Sequence, residues 1–562
     1  MNATPTFSQL PYNRPDPAAY LAQSAQLLER LKAAAGAAEQ HAIVREWDRA
    51  RKAWSTQKSI AEVHYQQDTT SAAARAEQEF YDHVGPELLE AEVDFLKALT
   101  SSPHRHALEG LLGAQAFALW DCTLTTFEPA IADDQRAESG LRNQYSERMT
   151  AIRIELDGQT HTLSTIRGRF GHAERSERHK AMVAMDGAMQ KESAALDGLF
   201  DDLVKCRHQM ASRLGYPQFT TLGYRKMLRT DYTDVDVARF RAEVQAVLVP
   251  LAARIRARQA SALGVTDYAY HDEAVRDRQG VPCPQGDAEW MLGQASTLFN
   301  TMGEDFGAFF SMMRRRELLD LKTRSGKAGG GFCTSFMDHK LPFIFANFNG
   351  TQDDVNVFTH ECGHAFQCYS SLGQPLSDYV WPTYEAAEIH SMGLELMTWP
   401  HMELFFGDDA ERFRIGHLEG ALTFVPYGTA VDAFQHLVYA SPEATPDERA
   451  AMWQSVERDF LPWRRYMDMP YAASGRIWQR QRHIYMSPFY YIDYCLAQLC
   501  ALQLWTLSRK SRDDAMARYR ALCSLGGSLP FTALLAEVGL KSPFEPGVVA
   551  SVVDEAAEFL GL

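Results

Sequence analysis

The 562-residue chain has no Cys-x-x-Cys pair, no run of about 20 apolar residues and no excess of basic charge. Nine cysteines stand singly, at 122, 206, 283, 333, 362, 368, 495, 500 and 523. That scatter argues against a disulfide framework and against a cysteine-rich structural metal site, and it fits a reducing cytoplasm. Without a long apolar run there is no candidate membrane span, and 46% apolar with 23% charged residues is ordinary for a globular protein. Lys and Arg number 56 against 72 acidic residues, a formal net charge of −16, which disfavours nucleic acid and acidic membrane as partners. Short or cationic partners remain compatible. The opening "MNATPTFSQLPYNRPD" lacks a basic stretch followed by an apolar one, so no secretory signal is expected. The triple glycine at 329–331 lacks the trailing Gly-Lys-Ser/Thr of a phosphate loop, which sets nucleotide binding aside and leaves a flexible loop as the expectation.

What is present is mostly helical pattern. At 63.2 kDa the chain is too long for one simple core, so at least two lobes or one multilobed unit are expected. Asp16 and Pro17 form an N-cap and first helical residue, with Tyr20, Leu21, Ser24, Leu27, Leu28 and Leu31 following at helical spacing. Segments 39–66 and 77–99 continue in that style. The texture changes at 151–165, where Ile152, Ile154 and Leu156 alternate up to Asp157-Gly158, a hairpin signal. We place a boundary there: an N-terminal helical lobe, 1–165, and a remainder, 166–562, that carries the chemical motifs. Helical patterns resume from about 172 to 320, broken by a loop at 276–287. Residues 332–348 then read as a two-stranded ribbon turning at Asp338-His339-Lys340.

The chemistry sits just beyond. In "FTHECGHAFQCY", residues 358–369, His360 and His364 are four apart. Asn349-Gly350-Thr351 followed by Asp353 and Asp354 is a helix start, so both imidazoles project from one helical face and can reach a single ion. Glu361, between them, is placed to take a proton from a water that the ion polarises, without being a ligand. Cys362 lies roughly 200° around the helix from His360 and faces away. A chance His-Glu-x-x-His in a chain with 18 histidines has a probability on the order of a few per cent, so a third ligand must strengthen it. A second helical segment, "PTYEAAEIHSMGLELMTW" (382–399), offers Glu385, Glu388, His390 and Glu395 in an unusually apolar setting. Glu388 and Glu395, seven apart, share a face with Glu385 nearby; His390 reads as a core histidine or one that supports a ligand.

"HECGH" at 360–364 followed by "EIHSMGLE" at 388–395 resembles the thimet oligopeptidase family of zinc metallopeptidases, in its bacterial oligoendopeptidase F and Pz-peptidase branch. The resemblance implies one zinc ion per chain held by His360, His364 and Glu388, with Glu361 as general base and Glu395 orienting a ligand histidine. "HIYMSPFYYIDYCLAQ" (483–498) is similar to the family segment that hydrogen-bonds the peptide and the oxyanion, which implies roles for His483, Tyr490 and Tyr494, with Tyr491 able to replace Tyr490. The implied fold is a mainly α-helical, two-lobed zincin with a small β-ribbon beside the His-Glu-x-x-His helix and a deep channel that admits short peptides. The implied function is internal cleavage of such peptides. The competing reading is a zinc-bound peptide-binding protein without turnover, and Glu361, which a pure binder does not need, favours the enzyme.

Overall fold

The computed structural model describes residues 5–562, and these are mostly helical. Among the described residues no helix is long and apolar enough to cross a membrane. Five short strands interrupt the helices among the described residues: β1 (Ile154–Leu156), β2 (Gln159–His161), β3 (Leu319–Lys322), β4 (Phe332–Phe336) and β5 (Leu341–Phe348). The chain divides into two compact units, each assembled from three stretches. Unit 1 comprises 1–124, 283–410 and 501–540; unit 2 comprises 125–282, 411–500 and 541–562.

In unit 1 the N-terminal helices Pro17–Ala33, Ala37–Gln67 and Ala72–Thr100 begin as their sequence dictates. Asp16 accepts a hydrogen bond from the Ala18 amide at 2.9 Å, ahead of Pro17 at the first helical position. Their apolar faces close a core around Leu31, Val44, Trp47, Phe95 and Leu99 that also takes in Leu376 and Tyr379, from the segment after the histidine motif. The Tyr379 hydroxyl donates to the Leu112 carbonyl at 2.8 Å and accepts from the Ala116 amide at 3.0 Å. Arg51 pairs with Asp378 at 2.8 Å. The N-terminal helices therefore buttress the loop that leaves the motif helix.

The sheet of unit 1 has the order β3-β5-β4, with β3 parallel and β4 antiparallel to β5. Being central, β5 is buried on nearly every residue, which is why "LPFIFANF" is apolar without alternation. The ribbon anticipated from the sequence is β4 and β5. The third strand, β3, falls where helical pattern was expected, because four residues ("LDLK") are too few to register a period of two. The glycine run is fastened rather than loose. Lys327 Nζ donates to Asp320 Oδ1 (2.9 Å) and to the Ala346 carbonyl (2.6 Å), and Asn347 Nδ2 donates to the Ala328 and Gly330 carbonyls.

Unit 2 is organised on the 39-residue helix Arg175–Arg213, with an aromatic core in which Phe200, Phe434, Trp478 and Tyr485 meet. Its hairpin, β1 with β2, turns through Asp157 (φ 51°) and Gly158 (φ 76°), the two left-handed positions that an Asp-Gly turn supplies.

Candidate metal centre

The motif helix spans Gln352–Ser371 and starts where the sequence places it: Thr351 is the N-cap, and Asp354 accepts from the Asn349 and Gly350 amides at 2.6 to 3.0 Å. The second helix spans Tyr384–Met397 and lies directly against the first. Gly363 makes this approach possible. A Cβ built there would fall 2.6 Å from Ser391 Cα, a distance that no real side chain tolerates. The Tyr519 hydroxyl, from helix Arg512–Leu525, donates to the His390 carbonyl at 2.8 Å and fixes the second helix at the same level.

This contact brings His360, His364 and Glu388 together, with one ligand atom from each within 4.8 Å of the others. Glu388 Oε2 is 3.3 Å from His360 Nε2 and 3.5 Å from His364 Nε2. The two imidazole rings are nearly perpendicular, at 82°, with centroids 4.9 Å apart. Behind them, His360 Nδ1 donates to Glu395 Oε1 at 2.7 Å. Glu388 and Glu395, two turns apart on one helix, thus address opposite nitrogens of the same ring. The Ser391 hydroxyl donates to Glu388 Oε2 at 3.0 Å, a contact with no signature in the sequence.

Electrostatics follow from burial and from these partners. For Glu388, burial alone would raise the pKa, but the hydrogen bonds of His360 and His364 outweigh it and hold the carboxylate well below its ordinary range. For His360, burial alone would depress the pKa, yet the bonds to Glu388 and Glu395 drive it well above. Glu361 is raised, first by burial and then by the charges of Glu388 and Glu395, against the lowering influence of the two histidines. Its Oε2 is buried without a hydrogen-bond partner. Gly331, at the end of the anchored glycine run, faces the same carboxylate: a Cβ there would sit 3.5 Å from Glu361 Oε1.

Other candidates fall outside the cluster. Glu385 is buried but is not among the converging ligand atoms. His390 is fully buried and donates through Nδ1 to the Ala386 carbonyl at 2.8 Å, and burial pushes its pKa down to about 4. Cys362 is buried, with burial raising its thiol well above the usual range. In unit 2, His483, Tyr490, Tyr491 and Tyr494 form one cluster: the His483 ring lies 5.7, 4.9 and 5.8 Å from the three tyrosine rings, in that order. Gln481 Nε2 is 2.8 Å from His483 Nδ1, and Gln481 Oε1 accepts from the Tyr427 hydroxyl at 2.9 Å. Neither Gln481 nor Tyr427 was singled out from the sequence, because glutamine and an isolated tyrosine carry no motif.

Two helices crossing closely to present a histidine pair and a carboxylate are the architecture of a metallopeptidase, and the chain belongs to Peptidase family M3. That family matches residues 172–553, and the Peptidase M3 N-terminal domain matches residues 7–127. Within the family it falls in the oligoendopeptidase F and Pz-peptidase branch. It is 41% identical to Pz peptidase A, solved with an inhibitor, over 99% of both chains at a TM-score of 0.93. A protein provisionally designated oligoendopeptidase F from Bacillus anthracis is 39% identical over 100% of this chain and 99% of its own, at a TM-score of 0.89. No curated protein matches the chain.

Proposed function

We propose that the protein is a zinc-dependent oligoendopeptidase that hydrolyses internal bonds of short peptides, with one zinc ion held by His360, His364 and Glu388. The observation that carries this reading is the convergence of two imidazoles and one carboxylate, a donor set that suits zinc and leaves a position open. His360 is already oriented by Glu395, as supporting carboxylates orient metal-binding histidines. When bound, zinc would act as a Lewis acid toward the scissile carbonyl and the attacking water.

The remaining work belongs to the chain. Glu361 Oε2, buried and unpartnered, accepts the proton of the attacking water and returns it to the leaving amine. His483, Tyr490 and Tyr494 donate hydrogen bonds to the peptide and to the oxygen on which charge develops. β4 is an edge strand of its sheet, and its outer edge pairs with the peptide main chain by β-augmentation, a mode that tolerates many side chains. The functional division we adopt is an N-terminal lobe, 1–165, ahead of a catalytic part, 166–562. The cysteines form no disulfide among the described residues, which supports a cytoplasmic location.

The test is digestion of a mixed set of short peptides and one folded protein by the zinc-loaded chain, with and without a chelator, read by mass spectrometry. Internal cleavage of peptides only, abolished by the chelator, is the expected result. A zinc-loaded chain that binds peptides and cleaves none would instead make it a binding protein. Metal analysis of Glu388→Ala and Glu385→Ala accompanies it: zinc should be lost from the first and kept by the second, and the reverse would reassign the third ligand.

A further inference from the structure

Unit 2 contains a cavity of about 370 Å³ whose walls include Arg167, Arg256, Arg464 and Arg480 but a single acidic residue, Glu273. Such a volume suits one side chain or chain terminus of a ligand. Glu273 is already engaged. It accepts from Arg464 through both oxygens, at 3.1 and 2.8 Å, and lies 3.7 Å from Arg256 Nη2. Glu457 approaches Arg464 from behind at 3.9 Å while it accepts from the Tyr466 hydroxyl. Both carboxylates are therefore committed to Arg464 and Arg256.

The surplus charge is on Arg480 and Arg167. Arg480 reaches only the Tyr270 hydroxyl, at 3.4 Å, and its other neighbours are Tyr427 and Tyr471. The carboxylate of Asp186, which senses Arg480, is already taken up by the Tyr471 and Ala472 amides at 3.0 and 2.9 Å. Arg167 is exposed at the rim and makes no ion pair among the described residues. Guanidinium pairs without their own carboxylates are the usual means of gripping a ligand carboxylate in two-point fashion.

The cavity and the histidine and tyrosine cluster are linked through two residues. Tyr427 and Gln481 line it, and Gln481 bridges from the Tyr427 hydroxyl to His483. Tyr427 also meets Tyr491 edge-on, with ring centroids 5.9 Å apart. The geometry points to a carboxylate-binding subsite for the peptide substrate, in which Arg167 and Arg480 hold either the free C-terminal carboxylate or an acidic side chain. This rests on the reading of His483, Tyr490 and Tyr494 as groups that contact the peptide.

The experiment compares peptide pairs that differ only in charge: a C-terminal acid against its amide, and glutamate against glutamine at each position after the cleaved bond. The zinc-loaded full chain is assayed as wild type, Arg167→Ala and Arg480→Gln, and kcat/KM is reported as the ratio within each pair. Equilibrium binding of the same pairs, fluorescently labelled, is measured on Glu361→Gln protein. A wild-type preference of about 10-fold for the charged member, falling to about 2-fold or less in either variant, is expected from the loss of a charge-assisted hydrogen bond. Whichever pair shows the preference identifies the source of the carboxylate. Because Arg167 is exposed, its variant tests the idea even if Arg480→Gln fails to fold. Equal ratios in wild type, or a preference that survives in both variants, would overturn the subsite. Selective binding without cleavage by wild type would support the subsite while removing the peptidase reading of the metal centre.

Discussion

In unit 2, Arg207 is buried and meets Glu138 at 2.7 Å and the Tyr439 hydroxyl at 2.9 Å, while Arg229, also buried, pairs with Asp493 at 2.6 Å. In unit 1 a cluster of similar burial is built from Glu361, Glu388 and Glu395, and the partners of the latter two are histidines. Guanidinium groups stay charged at any pH that the protein meets, so the first network keeps its charges fixed. Imidazoles can surrender their protons, so the second can exchange protons for a divalent cation without leaving a carboxylate stranded. Buried charge closed upon itself holds a fold together, whereas buried charge left with weak acids as partners is available for chemistry.

The comparison can be broken at its functional end first. Glu361→Gln should lower kcat by about 10²- to 10⁴-fold while zinc stays at one ion per chain; activity near wild type would show that Glu361 is not the base. At the structural end, Arg207→Met removes the nearest partner of Glu138 and leaves Lys226 at 3.5 Å, and it should cost about 3 kcal/mol in urea unfolding. The zinc content of the folded protein should not change, and a parallel loss of metal would mean that the two networks are coupled.

The pH dependence sharpens the contrast. Burial would raise Glu138, but the charge of Arg207 prevails and brings its pKa down to about 2 from the ordinary 4.5. A carboxyl group depressed by folding contributes stability that is complete above its unfolded pKa and disappears as the pH falls through the folded one. Glu138→Gln should therefore be about 3 kcal/mol less stable than wild type near pH 6, with the gap closing between pH 4.5 and 2. A gap that is constant across that range would assign the loss to packing rather than charge. The smallest effect is expected of Glu395→Gln, which keeps a hydrogen bond to His360 but removes its charge. Zinc affinity should fall about 10- to 100-fold in a competition titration with a chromophoric chelator, and no change would leave Glu395 without a role in orienting the ring.

What could be read from the sequence was what local periodicity encodes. His360 with His364, and Glu388 with Glu395, announce shared helical faces by their spacing, and Asp157-Gly158 announces a turn by its backbone preferences. Features that depend on residues far apart in the chain were silent. The anchoring of the glycine run by Lys327 and Asn347 depends on where β3 and β5 run. The arginine cavity draws on residues from 167 to 481, and each compact unit is stitched from three stretches of chain. His390 illustrates the limit: its place in the motif was visible, but whether its ring served the core or a ligand required knowing that it is fully buried against its own helix.

Gly363 gives the last lesson. In the middle of a helix, glycine forfeits roughly 1 kcal/mol relative to alanine. Alanine at this position would drive the two ligand-bearing backbones apart, because its methyl carbon would stand 2.6 Å from Ser391 Cα. A metal site of the kind proposed is specified to about 0.2 Å in its ligand distances. The helix therefore accepts a local weakness so that its neighbour can come within reach, and the residue that gauges the centre contributes no donor atom to it.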